Sequence, residues 1–322
     1  MCARNTGINL RVFTDRSYWK GANQTMSMMF TMYLQSVIDG LLIGGVYATI
    51  AVGLSLAFGV MRIINWAHGE LLMVSMYVSY FIFTLLNINP YLIIFITAAI
   101  MFVVGFLLQK FVISNMLARE KSVEPVSVLL FTSGLGLFLS NLALALTQGQ
   151  YYSAVTEYTG KTIKAADMII SVPKTISFVI AVVCTLALYL FLQKSETGRA
   201  IRATSQNRDV AILMGVNMKR IYNIAFGISI AMVGLAGGLL IPYMTINPNI
   251  GSTFGFKAFV IVVLGGYGSV IGALIGGLLV GVIEKVGTLA ASDIVAQICV
   301  FVVFVLVLLL RPNGLLGKKV KM

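Results

Sequence analysis

The chain has 322 residues, of which 59% are hydrophobic and only 11% charged, with a formal net charge of +12. A soluble domain carries roughly 25% charged residues, so this composition excludes a water-facing globule and calls for lipid. In hydrocarbon every backbone polar group must be bonded internally, which leaves helices or closed barrels. The long unbroken apolar runs lack the alternation of barrel strands and specify an all-α polytopic membrane protein. The positive charge does not indicate nucleic acid, because the basic residues lie in short loops between apolar runs, the pattern that orients membrane helices. Cys2, Cys184 and Cys299 have neither metal-site nor disulfide spacing.

In chain order, residues 1–31 read as a basic arm with Arg4, Arg11, Arg16 and Lys20. The arm lacks the apolar core and cleavage site of a signal peptide. Met26, Met28, Met29 and Met32 offer later starts, and the arm is expected to be poorly ordered. Apolar segments follow at 32–60, 69–86, 90–113, 125–147, 174–193, 221–246, 255–283 and 293–310. A span takes about 20 residues. Two segments, 32–60 and 255–283, exceed one span and fall short of two. Both are glycine-rich, through Gly40, Gly44 and Gly45 in one and Gly265, Gly266 and Gly268 in the other. Breaks are expected in both, giving about eight to ten crossings with half-helices included.

Segment 194–220 has six basic residues against two acidic and is placed in the cytoplasm. The polar loop 148–173 then falls outside, while 114–124 and the basic tail 319–322 fall inside. From 220 to 311 the chain must cross an even number of times, which a down-and-up pair within 255–283 satisfies. The stretches 55–80 and 258–283 share an order of apolar, small or polar, then apolar residues, which suggests an internal repeat.

Three groups of residues stand out. The stretch 198–217 reads as an amphipathic helix, with Ile201, Ala211, Ile212 and Met214 on one side and Arg199, Arg202 and Arg208 on the other, ended by Gly215. It either lies on lipid headgroups or spans the mouth of the bundle. Asn65, Trp66, His68, Gly69 and Glu70 form the second group. A charged residue inside a span costs roughly 2.5–3.5 kcal/mol. Asn65 and Glu70 therefore either cap a helix beginning near 69, with Arg62 or His68 pairing Glu70, or face a substrate path or gate. The third group is glycine: Gly272, Gly276, Gly277 and Gly281 offer a face for close helix packing, and Gly265, Gly266 and Gly268 a break that lines a path. Gly234 and Gly238 are also read as packing residues.

Tyr243, Thr245 and Asn247 touch substrate or belong to a capped outer turn. Asp39 reads as an interfacial cap or path residue, and Lys257 as snorkelling outward. Gly160-Lys161-Thr162 ends like a phosphate loop, but Val155 stands where that loop needs glycine, so no ATP site is expected on this chain. With a single histidine and no nucleophile motif, no catalytic residue, metal ligand or directly bound cofactor is expected.

The stretches GRAIRATSQNRDVAILMGVN (198–217), GVYATIAVGLSLAFGVMRIINWAHGELLMVSMYV (45–78), VVLGGYGSVIGALIGGLLVGVIE (262–284) and LRPNGLLG (310–317) resemble, in order and spacing, the permeases of branched-chain amino-acid ABC importers. The resemblance covers about 32–318, and LGGYGSVIGA resembles the shorter H-type subunit. It implies a homologous second permease, two cytoplasmic ATPases that hold ATP and Mg, and an extracytoplasmic binding protein. It also implies that 198–217 docks in an ATPase groove, with Arg199, Arg202 and Arg208 making contacts and Gly198 and Gly215 setting backbone corners. The implied location is the bacterial plasma membrane. Related permeases carry urea, amides or other small polar solutes. A stand-alone secondary transporter or channel relying on His68 or Glu70 is the rival of another class, and an intramembrane enzyme lacks a catalytic pair.

Overall fold

The computed structural model describes residues 16–119, 126–165, 168–311 and 314–316. Its helices are α1 (Arg16–Met61), α2 (His68–Leu86), α3 (Pro90–Leu108), α4 (Ser114–Arg119), α5 (Val126–Thr147), α6 (Val172–Lys194), α7 (Glu196–Gln206), α8 (Arg208–Leu213), α9 (Met218–Leu240), α10 (Ile250–Gly265), α11 (Val270–Ala290) and α12 (Asp293–Leu310). A π turn, Gln109–Ile113, joins α3 to α4. A small antiparallel hairpin, β1 (Thr162–Ala165) and β2 (Met168–Ser171), precedes α6. Among the described residues eight helices are long and apolar enough to cross a membrane. The chain is an all-helical polytopic membrane protein.

Helices α1, α2, α9 and α10 form the centre. Ile50, Leu72, Met76, Phe226, Ile230 and Ile261 are wholly buried there. Helices α3, α5, α6 and α12 stand outside and expose side chains such as Leu107, Leu130, Val183 and Leu309, apolar faces that call for lipid or another helix against them. Hydroxyl groups tie the bundle together: Ser229 donates to the Gly53 carbonyl at 2.6 Å, Ser177 to Leu239 at 2.9 Å, and Ser79 meets Thr97 at 2.7 Å. Polar links of this kind hold helices that the hydrophobic effect alone cannot pair in lipid.

Helix α1 corrects the reading of the first long segment. It runs unbroken for 46 residues, and Gly40, Gly44 and Gly45 do not interrupt it. Its helical course also extends back to Arg16, into the stretch expected to be an arm; residues 1–15 lie outside the described residues. The glycines are there for approach. A Cβ on Gly40 would lie 2.6 Å from Val282 Cα, and one on Gly277 would lie 2.6 Å from Ala48 Cα. Gly44 and Gly281 meet in the same seam, so α1 and α11 pack backbone to backbone.

The second long segment does break. Gly266 and Gly268 adopt φ of 96° and 75°, a region closed to most side chains, and turn the chain between α10 and α11. Helix α10, at 16 residues, is shorter than the eight span-length helices, so the turn joins a short apolar helix to the full-length α11. The turn sits at the end of the bundle that carries α7 and α8, where Gly268 meets Gly59 of α1. Near the C-terminus, the Leu315 and Leu316 amides donate to the carbonyls of Leu264 and Gly265 at 2.8 and 3.2 Å. Residues 317–322, including the basic tail, lie outside the described residues. A second break separates α1 from α2 at 62–67, so both halves contain a helix, a break and a helix.

At the opposite end Lys174 donates to Asp39 at 3.3 Å, linking α6 to α1. Both side chains keep about a quarter of their surface open, so the pair contributes at most about 1 kcal/mol. Asp39→Asn should shift the melting temperature of the purified protein by no more than a few degrees; a fall of ten degrees or more would contradict this account. Lys257 does not reach the outer surface as expected. It turns inward to Glu284 at 2.8 Å and the Tyr47 hydroxyl at 3.1 Å.

Candidate functional site

The break at 62–67 opens a cavity of about 450 Å³ between α2, α5 and α10. Asn65, Trp66, His68, Gly69 and Glu70 line it, as do Leu137, Phe256 and Phe259. Three of the residues expected on a path, Asn65, His68 and Glu70, therefore come together. His68 is 1% exposed, and its Nε2 lies 3.0 Å from the Ile50 carbonyl. A carbonyl only accepts, so Nε2 carries the proton and Nδ1, which has no partner, is the acceptor. This contact pins the start of α2 to the middle of α1. Met61 ends α1 eleven residues beyond Ile50, so α2 begins about 16 Å inside the bundle.

The local capping reading fails here. The N-cap of α2 is Ala67, without a side-chain cap. Asn65 is 3% exposed, and neither of its amide atoms has a partner. Glu70 forms no ion pair among the described residues, with Arg62, His68 or any other group. Its Oε2 is buried and unpartnered. It rests where a Cβ on Gly251 would be, at 2.2 Å, so that glycine makes room for the carboxylate. Thr132 of α5 accepts from the Trp66 amide at 3.2 Å and anchors the break from the other side.

The remaining path residues lie elsewhere. Asn247 accepts from the Asn249 amide at 3.0 Å and shapes the turn that enters α10, while Tyr243 packs against the core. Neither lines the cavity. Of the break glycines, Gly268 lines a separate cavity of about 530 Å³ with Arg62, Gln193, Arg202 and Tyr267 at the α7–α8 end. Gly265 packs against Gly272, and Gly276 against Ile261.

The stretch 198–217 forms two helices, α7 and α8, instead of one. Asn207 makes the break by accepting from the Asp209 and Val210 amides at 3.0 and 3.1 Å. Ser195 caps α7 through the Gly198 amide, and Asn217 caps α9 through that of Arg220. The expected apolar stripe divides. Ile201 and Ala211 turn inward, each 2% exposed, while Val210, Ile212, Leu213 and Met214 face outward, with Leu213 84% exposed. Gly215 takes φ 81° and redirects the chain after α8. Gly198 lies in the first turn of α7, where a Cβ would come 2.5 Å from the Phe191 carbonyl oxygen, so its bare backbone admits the close junction of α6 and α7. Arg208 lies over the Tyr222 ring at 5.7 Å, Arg202 donates to Gln193, and Arg199 faces Glu196 at 3.8 Å on the surface.

Apolar spans thus surround a cavity that sets Asn65, His68 and Glu70 among apolar walls, and a capped helix pair presents apolar side chains at one end. Residues 36–310 match the family described as the branched-chain amino acid transport system permease component. The high-affinity branched-chain amino acid transport system permease protein BraD of Pseudomonas aeruginosa is 33% identical over 300 residues, 89% of this chain and 96% of its own length. The corresponding LivH of Escherichia coli is 33% identical over 310 residues, 91% of this chain and 98% of its own. The fructose import permease protein FruG of Bifidobacterium longum is 25% identical over 207 residues, 59% of this chain and 58% of its own. No solved structure matches. The chain belongs to the branched-chain amino-acid ABC importer permease family and is a multi-pass plasma-membrane protein.

Proposed function

We propose that this chain is the H-type permease subunit of an importer that moves branched-chain amino acids into the cell, driven by ATP on partner chains. The observation that carries the reading is the knuckle of Leu213, Met214, Ile212 and Val210. It stands at the end of the bundle on a helix pair fixed by two side-chain caps, Ser195 and Asn207, and followed by the Asn217 cap of α9. A rigid apolar knob beside Arg199 and Arg208 suits a groove in a partner protein, and two ATPases are the partners assigned to it. That end is then cytoplasmic, which agrees with its basic loop. A homologous second permease covers the open side of the cavity, where Leu137 and Phe256 are exposed. An extracytoplasmic binding protein meets the hairpin end. Likeness to BraD and LivH, permeases of branched-chain amino acid transport, supports a branched-chain substrate over the sugar of the less similar FruG.

The test is co-purification of the tagged permease with its ATPases, followed by ATP-dependent leucine uptake in vesicles. Arg208→Glu, Arg202→Glu and Leu213→Asp should each lower both by at least about tenfold, the effect of a hot-spot contact, while insertion is preserved. Leucine uptake that follows an ion gradient, with no ATPase bound, would replace this reading with a secondary transporter.

A further inference from the structure

The cavity at the 62–67 break contains more unspent polarity than a packed bundle tolerates. Three residues that line it, Asn65, His68 and Glu70, carry four buried side-chain atoms without partners among the described residues: Asn65 Nδ2 and Oδ1, His68 Nδ1 and Glu70 Oε2. A buried polar group without a partner costs several kcal/mol in an apolar medium, and native structures hold few of them. Three such residues around one space mark a place for a polar occupant.

Its electrostatics are two-sided. Helices α2 and α10 both begin at this cavity. Gly69 of α2 packs on Gly251 and Gly255 of α10 so closely that a Cβ on it would lie 2.2 Å from the Gly251 carbonyl oxygen. Neither helix has a side-chain N-cap: Ala67 provides none, and Asn249 makes no cap bond. The first amides of a helix have no partner within it, and its N-terminus carries about half a positive charge. Two such ends side by side favour an anionic group. Glu70, in the first turn of α2, sets its own Oε2 against Gly251 at the start of α10 and lacks a cationic partner among the described residues. The walls between are apolar, from Leu54, Leu137, Phe256 and Phe259. The volume falls within the range of small-molecule pockets, roughly 300–1,000 Å³.

We infer that this cavity is a zwitterion site. The α-carboxylate of an amino acid lies at the paired starts of α2 and α10, its α-ammonium lies on Glu70, and its alkyl chain lies against Phe256, Phe259 and Leu137. Asn65, in the break before α2, supplies an amide to either charged group. The site gives the permease its own selection for a free amino acid over a sugar or an amide, neither of which carries both charges. The inference rests on the transport reading above and gives that reading its internal station.

The experiment uses the whole transporter in lipid nanodiscs and a photoactivatable diazirine analogue of leucine, with labelled residues mapped by mass spectrometry. Label is expected on Leu137, Phe256 or Phe259, competed by leucine. The leucine analogue without an amine, 4-methylpentanoate, and the analogue without a carboxylate, 3-methylbutylamine, should each compete at least tenfold less well. Glu70→Gln should lower labelling about tenfold and narrow the gap between leucine and 4-methylpentanoate. Label outside the cavity, or 4-methylpentanoate competing as well as leucine against the wild type, overturns the site whether or not the variant folds. A Glu70→Gln protein that labels and discriminates like the wild type overturns the ammonium assignment. ATP-driven leucine uptake, measured in parallel, separates the two readings. Uptake with label elsewhere removes the site alone, and cavity labelling without ATP-driven uptake removes the importer alone.

Discussion

Lys257→Met should destabilise the folded permease by about 3–5 kcal/mol, the usual result of stripping one partner from a buried ion pair. Lys257 donates to Glu284 at 2.8 Å and to the Tyr47 hydroxyl at 3.1 Å, and Tyr47 donates to the same carboxylate oxygen at 3.2 Å. The ammonium also lies over the rings of Tyr47 and Phe254, at 5.0 and 5.7 Å. Each charged side chain is 15% exposed, so little water is available to solvate a charge left alone. The group bolts α1, α10 and α11 together. Glu284→Gln should be nearly as damaging, because it leaves the ammonium without its counter-charge. The double variant Lys257→Met/Glu284→Met should recover most of the loss, since replacing a whole buried pair by apolar groups is often neutral. Thermal unfolding in detergent provides the comparison. Single variants that melt with the wild type, or a double variant worse than either single, would contradict the argument.

Gly277→Val should prevent normal assembly. Its first added carbon would fall 2.6 Å from both Cα and N of Ala48. These are backbone atoms of the buried central helix and cannot swing aside. Helices α1 and α11 would have to part along a seam that includes Gly40, Gly44 and Gly281, at a cost of about 3 kcal/mol or more. A control sits on α5, where a Cβ on Gly134 meets nothing within 4 Å. Gly134→Ala should be neutral or stabilising by up to about 1 kcal/mol, because alanine is the better helix former. The yield of monodisperse protein after solubilisation would show the contrast, and equal yields for the two variants would refute it.

What could be read from the chain alone follows from how local each signal is. Hydrophobic run lengths locate the spans, and the pair Gly266 and Gly268 marks a real turn. Gly40, Gly44 and Gly45 form an equally glycine-rich stretch, yet they lie in one continuous helix. Composition cannot separate a glycine that bends the backbone from one that admits another helix; the difference lies in α11, more than two hundred residues away. Lys257 shows the same limit, since its partner Tyr47 is 210 residues distant. The two-helix form of 198–217 was legible in principle, because Asn207 followed by Arg208 and Asp209 is a helix start. Its apolar residues point both inward and outward, so one amphipathic stripe could not describe them. Asn65 and Glu70 stood out as polar residues in apolar surroundings, but only the fold brings them to the start of α10. The β1–β2 hairpin left no clear alternation in its short strands.

The bonds from Leu315 and Leu316 to the carbonyls of Leu264 and Gly265 have a consequence for the timing of biogenesis. The last turn of α10 borrows its hydrogen-bond donors from residues made some fifty positions later. Until those residues emerge from the ribosome, two carbonyls beside the glycine turn must be satisfied by water at the bilayer surface. The central hairpin is thus threaded into the membrane early and locked late. A chain cut at Arg311 would insert every span and still leave the latch open.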